Sequence, residues 1–520
     1  MSPEQGQVNQ QLAAPVLYLL DIVLPHVPPQ TLRGYYSRTV PSLIAVLETL
    51  SSNPSASEGT AAMIKSTVGA LESLLLAQDF QAWKSRDEMS VQHVYTGYFL
   101  GLGMDPRPKV RKRVLEAIKK VLVNPPANPT ALHPAAEGTA AICFNTVQAQ
   151  LGPVKKKSKD GNANIGKAVH SLQLLKTIAS AITWPKSSVR ELVELLLKLS
   201  SESYDDIVRL AALEVFQVIF GQASEEMNKN RLREVLEVLS AMNKSNGEMV
   251  LSDKPSKTDS QLLPSWLAVV AAGYNAYAQL DSDDCLKRIP DLLRHIFPFL
   301  QAESESVRDA VGSTLVAFAE NCMTLETSPE IQDEAYQAVA ELAMQGLTTR
   351  YQLAWREIFR FIGAIFLALR QNADPLFLDT IKIIESLRAK DTFEGKSEAD
   401  AVIGAAITGI GPAAVLKAIP LNLENQRPGA PGRAWLLPIL KSHIKNTELT
   451  HFSGYFVPLS KRLYQKVIDG ENIKAKTMEV KIMETVVEQI WALLPSYCDL
   501  PTDLNTVDLV LSIIADLNRL

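Results

Sequence analysis

The 520 residues exceed what one hydrophobic core supports, so the chain is either several domains or one extended repeat array. Apolar residues make up 47% and aromatic ones only 7%, a balance that suits helices packed through Leu, Ile, Val and Ala. The net charge of -5 excludes a uniformly basic nucleic-acid binder and leaves only a local basic stripe for such contact.

Apolar residues recur at helical spacing almost throughout, and alternating strand-like runs are scarce. The pattern predicts helices at Asn9 to Leu24, Thr31 to Leu50, Ala61 to Leu76, Val91 to Leu102, Pro108 to Val123 and Ala135 to Gln150, with short connectors. Pro153 to Asn164 (PVKKKSKDGNAN) and Asn243 to Ser260 are polar and unpatterned, and are expected to be loops. The uncharged run Gln261 to Leu280 is as long as a bilayer span. Its Pro264, Asn275, Gln279 and two tyrosines, inside a helical array, predict a buried helix and no membrane insertion. Gly409 to Ala414 matches the dinucleotide fingerprint in letters only. It follows a helical pattern, and Pro412 removes an amide that would face a phosphate, so a turn between helices is expected.

Three segments align without gaps: DPRPKVRKRVLEAIKKVL from Asp105, SYDDIVRLAALEVFQVIF from Ser203 and AESESVRDAVGSTLVAFA from Ala302. Their Val-Arg pairs (Val110-Arg111, Val208-Arg209, Val307-Arg308) are separated by 98 and 99 residues, about two HEAT or armadillo repeats each. The expected fold is an all-α, HEAT/armadillo-like α-solenoid of roughly ten to twelve antiparallel helix pairs. Val114, Ala212 and Val311, then Ile118, Phe216 and Leu315, then Val121, Ile219 and Phe318, form the predicted core stripe. Each shared arginine is expected to pair with an acidic residue at the preceding turn, giving the structural pairs Asp105 and Arg111, Asp205 and Arg209, and Glu303 and Arg308.

Little in the sequence carries covalent chemistry. Cys143, Cys285, Cys322 and Cys498 form no C-x-x-C, which points to a reducing compartment without a zinc site or disulfide framework. The start of the chain shows no secretory pattern. The seven histidines lack the i, i+4 pairing of a metal site. Tyr204-Asp205-Asp206 and Asp281-Ser282-Asp283-Asp284 read as helix caps. No enzyme, metal, cofactor or small-molecule substrate is expected.

The one pronounced charge signal is basic. Lys109, Lys112, Arg113, Lys119 and Lys120 are expected to project from the predicted core as a ridge, Arg107 stands just before them in the same basic segment, and Lys155, Lys156, Lys157 and Lys159 add a cluster in the adjoining loop. Such runs are ordinarily solvated faces. The sharper reading is contact with an RNA phosphate backbone, since no aromatic residues are interleaved for base stacking, or a nuclear-import signal in the lysine cluster.

Several stretches resemble the ribosomal RNA-processing protein 12 family of HEAT-repeat ribosome-assembly factors: DPRPKVRKRV from Asp105, HPAA from His133, GPAAVLKAIPLNL from Gly411, RAWLLPILKSHI from Arg433 and HFSGYFVPL from His451. The resemblance runs from about residue 90 to 500, and its final third corresponds to the region called NUC173. It implies a nuclear and nucleolar protein on small-subunit (90S and pre-40S) precursors, shuttling to the cytoplasm, with pre-ribosomal RNA, assembly factors and transport machinery as partners. Family members are longer and end in a basic tail that this sequence lacks, so it is either a fragment or an unusual member. The expected domains are a HEAT array over 1–345 and a continuing array over 346–520. The expected function is a non-catalytic scaffold in rRNA processing and pre-ribosome export. The alternative is a karyopherin-like transport receptor governed by a small GTPase.

Overall fold

The computed structural model describes residues 10–51, 58–85, 89–126, 132–151, 161–182, 184, 188–200, 205–222, 232, 233, 235–237, 242–245, 248–251, 259–323, 327–424, 432–471, 478–504 and 515. They form two units, 1–255 and 256–520. The expected division at 345/346 falls inside the second, at the end of the Pro329–Gly346 helix.

In the first unit the helices are α1 (Gln10–Val23), α2 (Pro29–Ser51), α3 (Glu58–Leu76), α4 (Phe80–Lys84), α5 (Val91–Val94), α6 (Leu100–Leu102), α7 (Pro108–Val123), α8 (Ala136–Leu151), α9 (Gly161–Ala181), α10 (Val189–Leu199) and α11 (Asp206–Gln222). One layer is built by α1, α3, α7, α9 and α11, each packed on the next, while α2, α8 and α10 pack beside α3, α9 and α11. The predicted stripe makes these contacts. Val110, Val114, Ile118 and Val121 of α7, and Val208, Ala212 and Phe216 of α11, are all at 0% exposure. Each buried Val or Leu side chain contributes about 1.5–3 kcal/mol, which is why a helix pair gains its stability by stacking. Of the expected loop Pro153 to Asn164, residues 153–160 lie outside the described residues, and 161–164 belong to α9, which begins at Gly161. Burial of Ala168, Leu172, Leu175 and Ile178 outweighs the poor helix propensity of its first turn.

The second unit contains α12 (Leu262–Leu280), α13 (Ser282–Ile296), α14 (Glu305–Cys322), α15 (Pro329–Gly346), α16 (Trp355–Leu369), α17 (Leu378–Arg388), α18 (Lys396–Ile410), α19 (Pro412–Ala418), α20 (Leu436–His443), α21 (Leu449–His451), α22 (Val457–Glu471), α23 (Met478–Trp491) and α24 (Leu494–Tyr497). Its first layer is α12, α14, α16, α18 and α20 in succession, and α13, α15 and α17 form the second. The run suspected as a span is α12. It buries Leu263, Trp266, Leu267, Val270 and Tyr274, and no helix among the described residues is long and apolar enough to cross a membrane. The letters of the dinucleotide fingerprint fall at a helix junction, where Gly411 (φ 88°) turns the chain between α18 and α19.

A short antiparallel hairpin, β1 (Met242–Ser245) with β2 (Glu248–Leu251), lies where a loop was expected. Asn246-Gly247 between the strands is the dipeptide that favours two-residue hairpins, a signal that polarity obscured. Two π-helical turns also escape helical periodicity, Tyr95–Phe99 (YTGYF) and Phe452–Phe456 (FSGYF). Their near-identical sequences bury matching aromatic pairs, Tyr95 with Phe99 and Phe452 with Phe456.

The arginines shared by the three aligned segments do hold the turns, but not through the expected carboxylates. Arg111 Nη1 donates to the Asp105 carbonyl oxygen at 2.8 Å, and Arg308 Nη1 donates to the Ala302 and Glu303 carbonyl oxygens at 2.8 and 2.7 Å. Arg209 Nε reaches the Ser200 carbonyl at 3.3 Å, and its Nη1 pairs with Asp206 at 3.0 Å. Interhelical turns leave carbonyls without helical partners, and a guanidinium fork satisfies them. The acidic side chains are used elsewhere: Asp105 binds Arg107, and Asp205 caps α11 by accepting from the Ile207 amide at 3.0 Å. Arg111 also crosses to the next helix of the layer, Nε donating to Gln173 Oε1 at 3.2 Å.

His133, from the HPAA stretch, sits edge-on to Trp83 at 4.4 Å, and its Nδ1 accepts from the Ala135 amide at 3.1 Å. Burial pushes its pKa down to about 4. Above the unfolded value of 6.5 the imidazole is neutral in both states. Below it the unfolded chain takes up a proton that the folded chain refuses, so stability falls as pH drops toward about 4. His133→Asn should flatten the fall by about 2–3 kcal/mol when denaturant midpoints at neutral pH and near pH 4.5 are compared. An unchanged pH slope would refute this role.

Candidate nucleic-acid interface

The basic ridge belongs to α7, which the sequence places correctly at Pro108–Val123. Pro108 at its first position fixes the entry φ and has no amide to leave unpaired. The turn before it is tied by Asp105, whose carboxylate accepts from the Arg107 amide (2.9 Å), Nε (2.9 Å) and Nη2 (2.7 Å). Arg107 is therefore engaged in holding the turn.

Arg113 is half-buried and Lys120 stays exposed, but both are engaged as well. They point back onto α3, where Glu72 is 4% exposed and accepts from Arg113 Nη1 and Lys120 Nζ, both at 2.6 Å. Asp21 of α1 stands 4.0 Å from Arg113, and its carboxyl is raised above the usual range, burial outweighing the attraction of Arg113. Gly69, one turn from Glu72, makes room for this cluster: a Cβ there would lie 2.9 Å from Arg113 Nη2. The result is a charged clamp across α1, α3 and α7. Its signal in sequence is Glu72 itself, the lone charge in the apolar run ALESLLL.

Lys109, Lys112 and Lys119 remain exposed. Positions 109, 112, 116 and 119 share one helical face, so these lysines and Glu116 form a stripe about three turns long. The clamp that adjoins it and the buried Val110, Val114, Ile118 and Val121 on the far side fix the orientation of the helix. A rigid row of ammonium groups can neutralise successive phosphates and supplies no base readout. Lys155, Lys156, Lys157 and Lys159 lie outside the described residues.

No group of three or more His, Cys, Asp or Glu among the described residues is placed to hold a metal ion. Cys143, Cys285 and Cys322 are buried free thiols, and Cys498 is exposed. Asp281 caps α13 by accepting from the Asp284 amide at 3.2 Å, and Asp283 ties Ser328 at the start of α15.

Two family models match the chain. One, described as ribosomal RNA-processing protein 12, HEAT repeats, covers residues 301–514, and the other, RRP12-like, N-terminal HEAT repeats, covers 2–227. The chain belongs to the ribosomal RNA-processing protein 12 family. It is 31% identical to ribosomal RNA-processing protein 12 of Saccharomyces cerevisiae over 95% of this chain and 41% of that relative. It is 28% identical to the RRP12-like protein of Homo sapiens, over 97% and 37% respectively. The chain thus spans about two fifths of the length of these relatives. Among solved structures, the karyopherin Kap121p aligns over 98% of this chain and 49% of its own, with a TM-score of 0.52 at 12% identity. Kap121p bound to Pho4p aligns with a TM-score of 0.51, again at 12% identity. These likenesses establish the α-solenoid fold that this family member shares with karyopherins.

Proposed function

We propose that the chain is a non-catalytic scaffold of ribosome biogenesis that acts on nuclear and nucleolar small-subunit precursors and their export, with the α7 stripe on the rRNA backbone and other helix-pair surfaces on assembly factors. Relatives named for ribosomal RNA processing support the pathway. The stripe of Lys109, Lys112 and Lys119 on a clamped helix carries the RNA contact. Stacked helix pairs suit such work because they offer long surfaces to several partners at once.

Replacing Lys109, Lys112 and Lys119 together by Glu should weaken co-sedimentation with precursor particles about tenfold at low salt, and progressively less as salt rises. All three lysines are exposed, so the melting temperature should move little. Undiminished co-sedimentation at low salt would reject the stripe as an RNA contact. The shared karyopherin fold favours one second reading, a transport receptor or adaptor. Direct, nucleotide-dependent capture of a small transport GTPase would separate it from the scaffold.

A further inference from the structure

The layer of the first unit repeats one contact. α7 buries Val110, Val114, Ala117 and Val121, a row at i, i+4, i+7 and i+11. The same row is buried at positions 168, 172, 175 and 179 of α9 and at 208, 212, 215 and 219 of α11. At one end of the described layer, α1 turns a row of identical spacing to solvent: Leu12, Val16, Leu19 and Val23 are 50–69% exposed, and Ile22 on the edge of the row is exposed as well. The opposite face of α1 packs on α3, and Leu17 is its one buried side chain among the described residues. A layer end left to water ordinarily presents a polar face, and a continuous apolar row, unlike a scattered leucine, calls for a partner.

Continuity with the layer identifies that partner. The outward row carries the spacing by which α7, α9 and α11 are held, so the complementary shape is another α-helix lying along α1 with an apolar row of its own. An extended segment would lay unpaired main-chain amides against this surface, whereas a helix satisfies its own. Charge steers nothing here. Asp21 is the one charged residue in the sequence of α1, and it lies on the opposite face toward Arg113. The row therefore offers no cation to a phosphate and no carboxylate to a basic segment.

We infer that α1 binds an amphipathic helix of a partner protein, which packs on Leu12, Val16, Leu19 and Val23 as a further member of the layer. The face is separate from the α7 stripe, and apolar burial persists at ionic strengths that release phosphate contacts, so the inference stands or falls without the RNA contact.

The probe is a displayed library of amphipathic helices about four turns long, the length of α1, whose row positions vary among Ala, Val, Leu, Ile and Phe. It is selected on the folded chain. Enriched peptides should bind the Val16→Glu, Leu19→Glu double variant at least about tenfold more weakly, at an unchanged melting temperature because both side chains are exposed. Their affinity should hold from low to high salt, and moving the apolar residues off the row at constant composition should abolish it. A selection that enriches nothing, equal affinity for chain and variant, or equal binding of the scrambled peptides would overturn the inference. So would a chain that dimerises in solution until the double variant separates it, since a second copy would then be the occupant. Binding gained only when residues 1–9 are removed would overturn it too, by making the chain's own start the occupant.

Discussion

Gly409→Ala is expected to destabilise the second unit by about 3 kcal/mol or more, although alanine is the better helix former. Gly409 sits inside α18 where that helix crosses α16, and a Cβ built on it falls 2.8 Å from the Phe366 carbonyl carbon, with the carbonyl oxygen nearer still. The obstacle is backbone, so no rotamer change relieves it, and the two helices have to separate. Both also pack on further members of the layer, so the displacement spreads. Gly363→Ala is the internal control. Its Cβ would meet nothing closer than the Ala405 Cβ at 3.7 Å, an ordinary contact, and should leave stability level or raise it by up to about 1 kcal/mol. Denaturant unfolding of the two variants settles the matter, and equal midpoints would mean that α16 and α18 are not in close contact.

The clamp on Glu72 should respond asymmetrically to deletion. Arg113 and Lys120 keep 26% and 55% of their side-chain surface in water, whereas the Glu72 side chain keeps 5%. Glu72→Gln frees two cations that solvent can reach, and should cost about 1–2 kcal/mol. Replacing both Arg113 and Lys120 by Met strands a buried carboxylate without a counter-charge, and should cost about 3–5 kcal/mol. Adding Glu72→Gln to that pair should recover much of the loss. If the double Met variant costs no more than Glu72→Gln, the clamp is only a surface ion pair.

What was legible in the sequence was what obeys helical periodicity. The stripes behind Val110, Val208 and Val307 gave the repeat, its register and α7 to the residue, because burial of one face sets both position and phase. Side-chain destinations were less legible. Arg113 and Lys120 look like ridge residues until α3 brings Glu72 beneath them, and the repeat arginines seek carbonyls that no pattern of charged letters displays. The hairpin and the two π turns had local signals, Asn246-Gly247 and the paired YTGYF and FSGYF, which a search for helices passes over.

The salt dependence of binding to a small-subunit precursor rRNA transcript tests the scaffold reading most directly. Each phosphate neutralised adds roughly 0.7–0.9 to the slope of log affinity against log salt. The chain with Lys109, Lys112 and Lys119 replaced by Glu should lose about two to three such increments while folding unchanged. Parallel slopes for the two proteins would contradict the assignment of the α7 stripe to RNA.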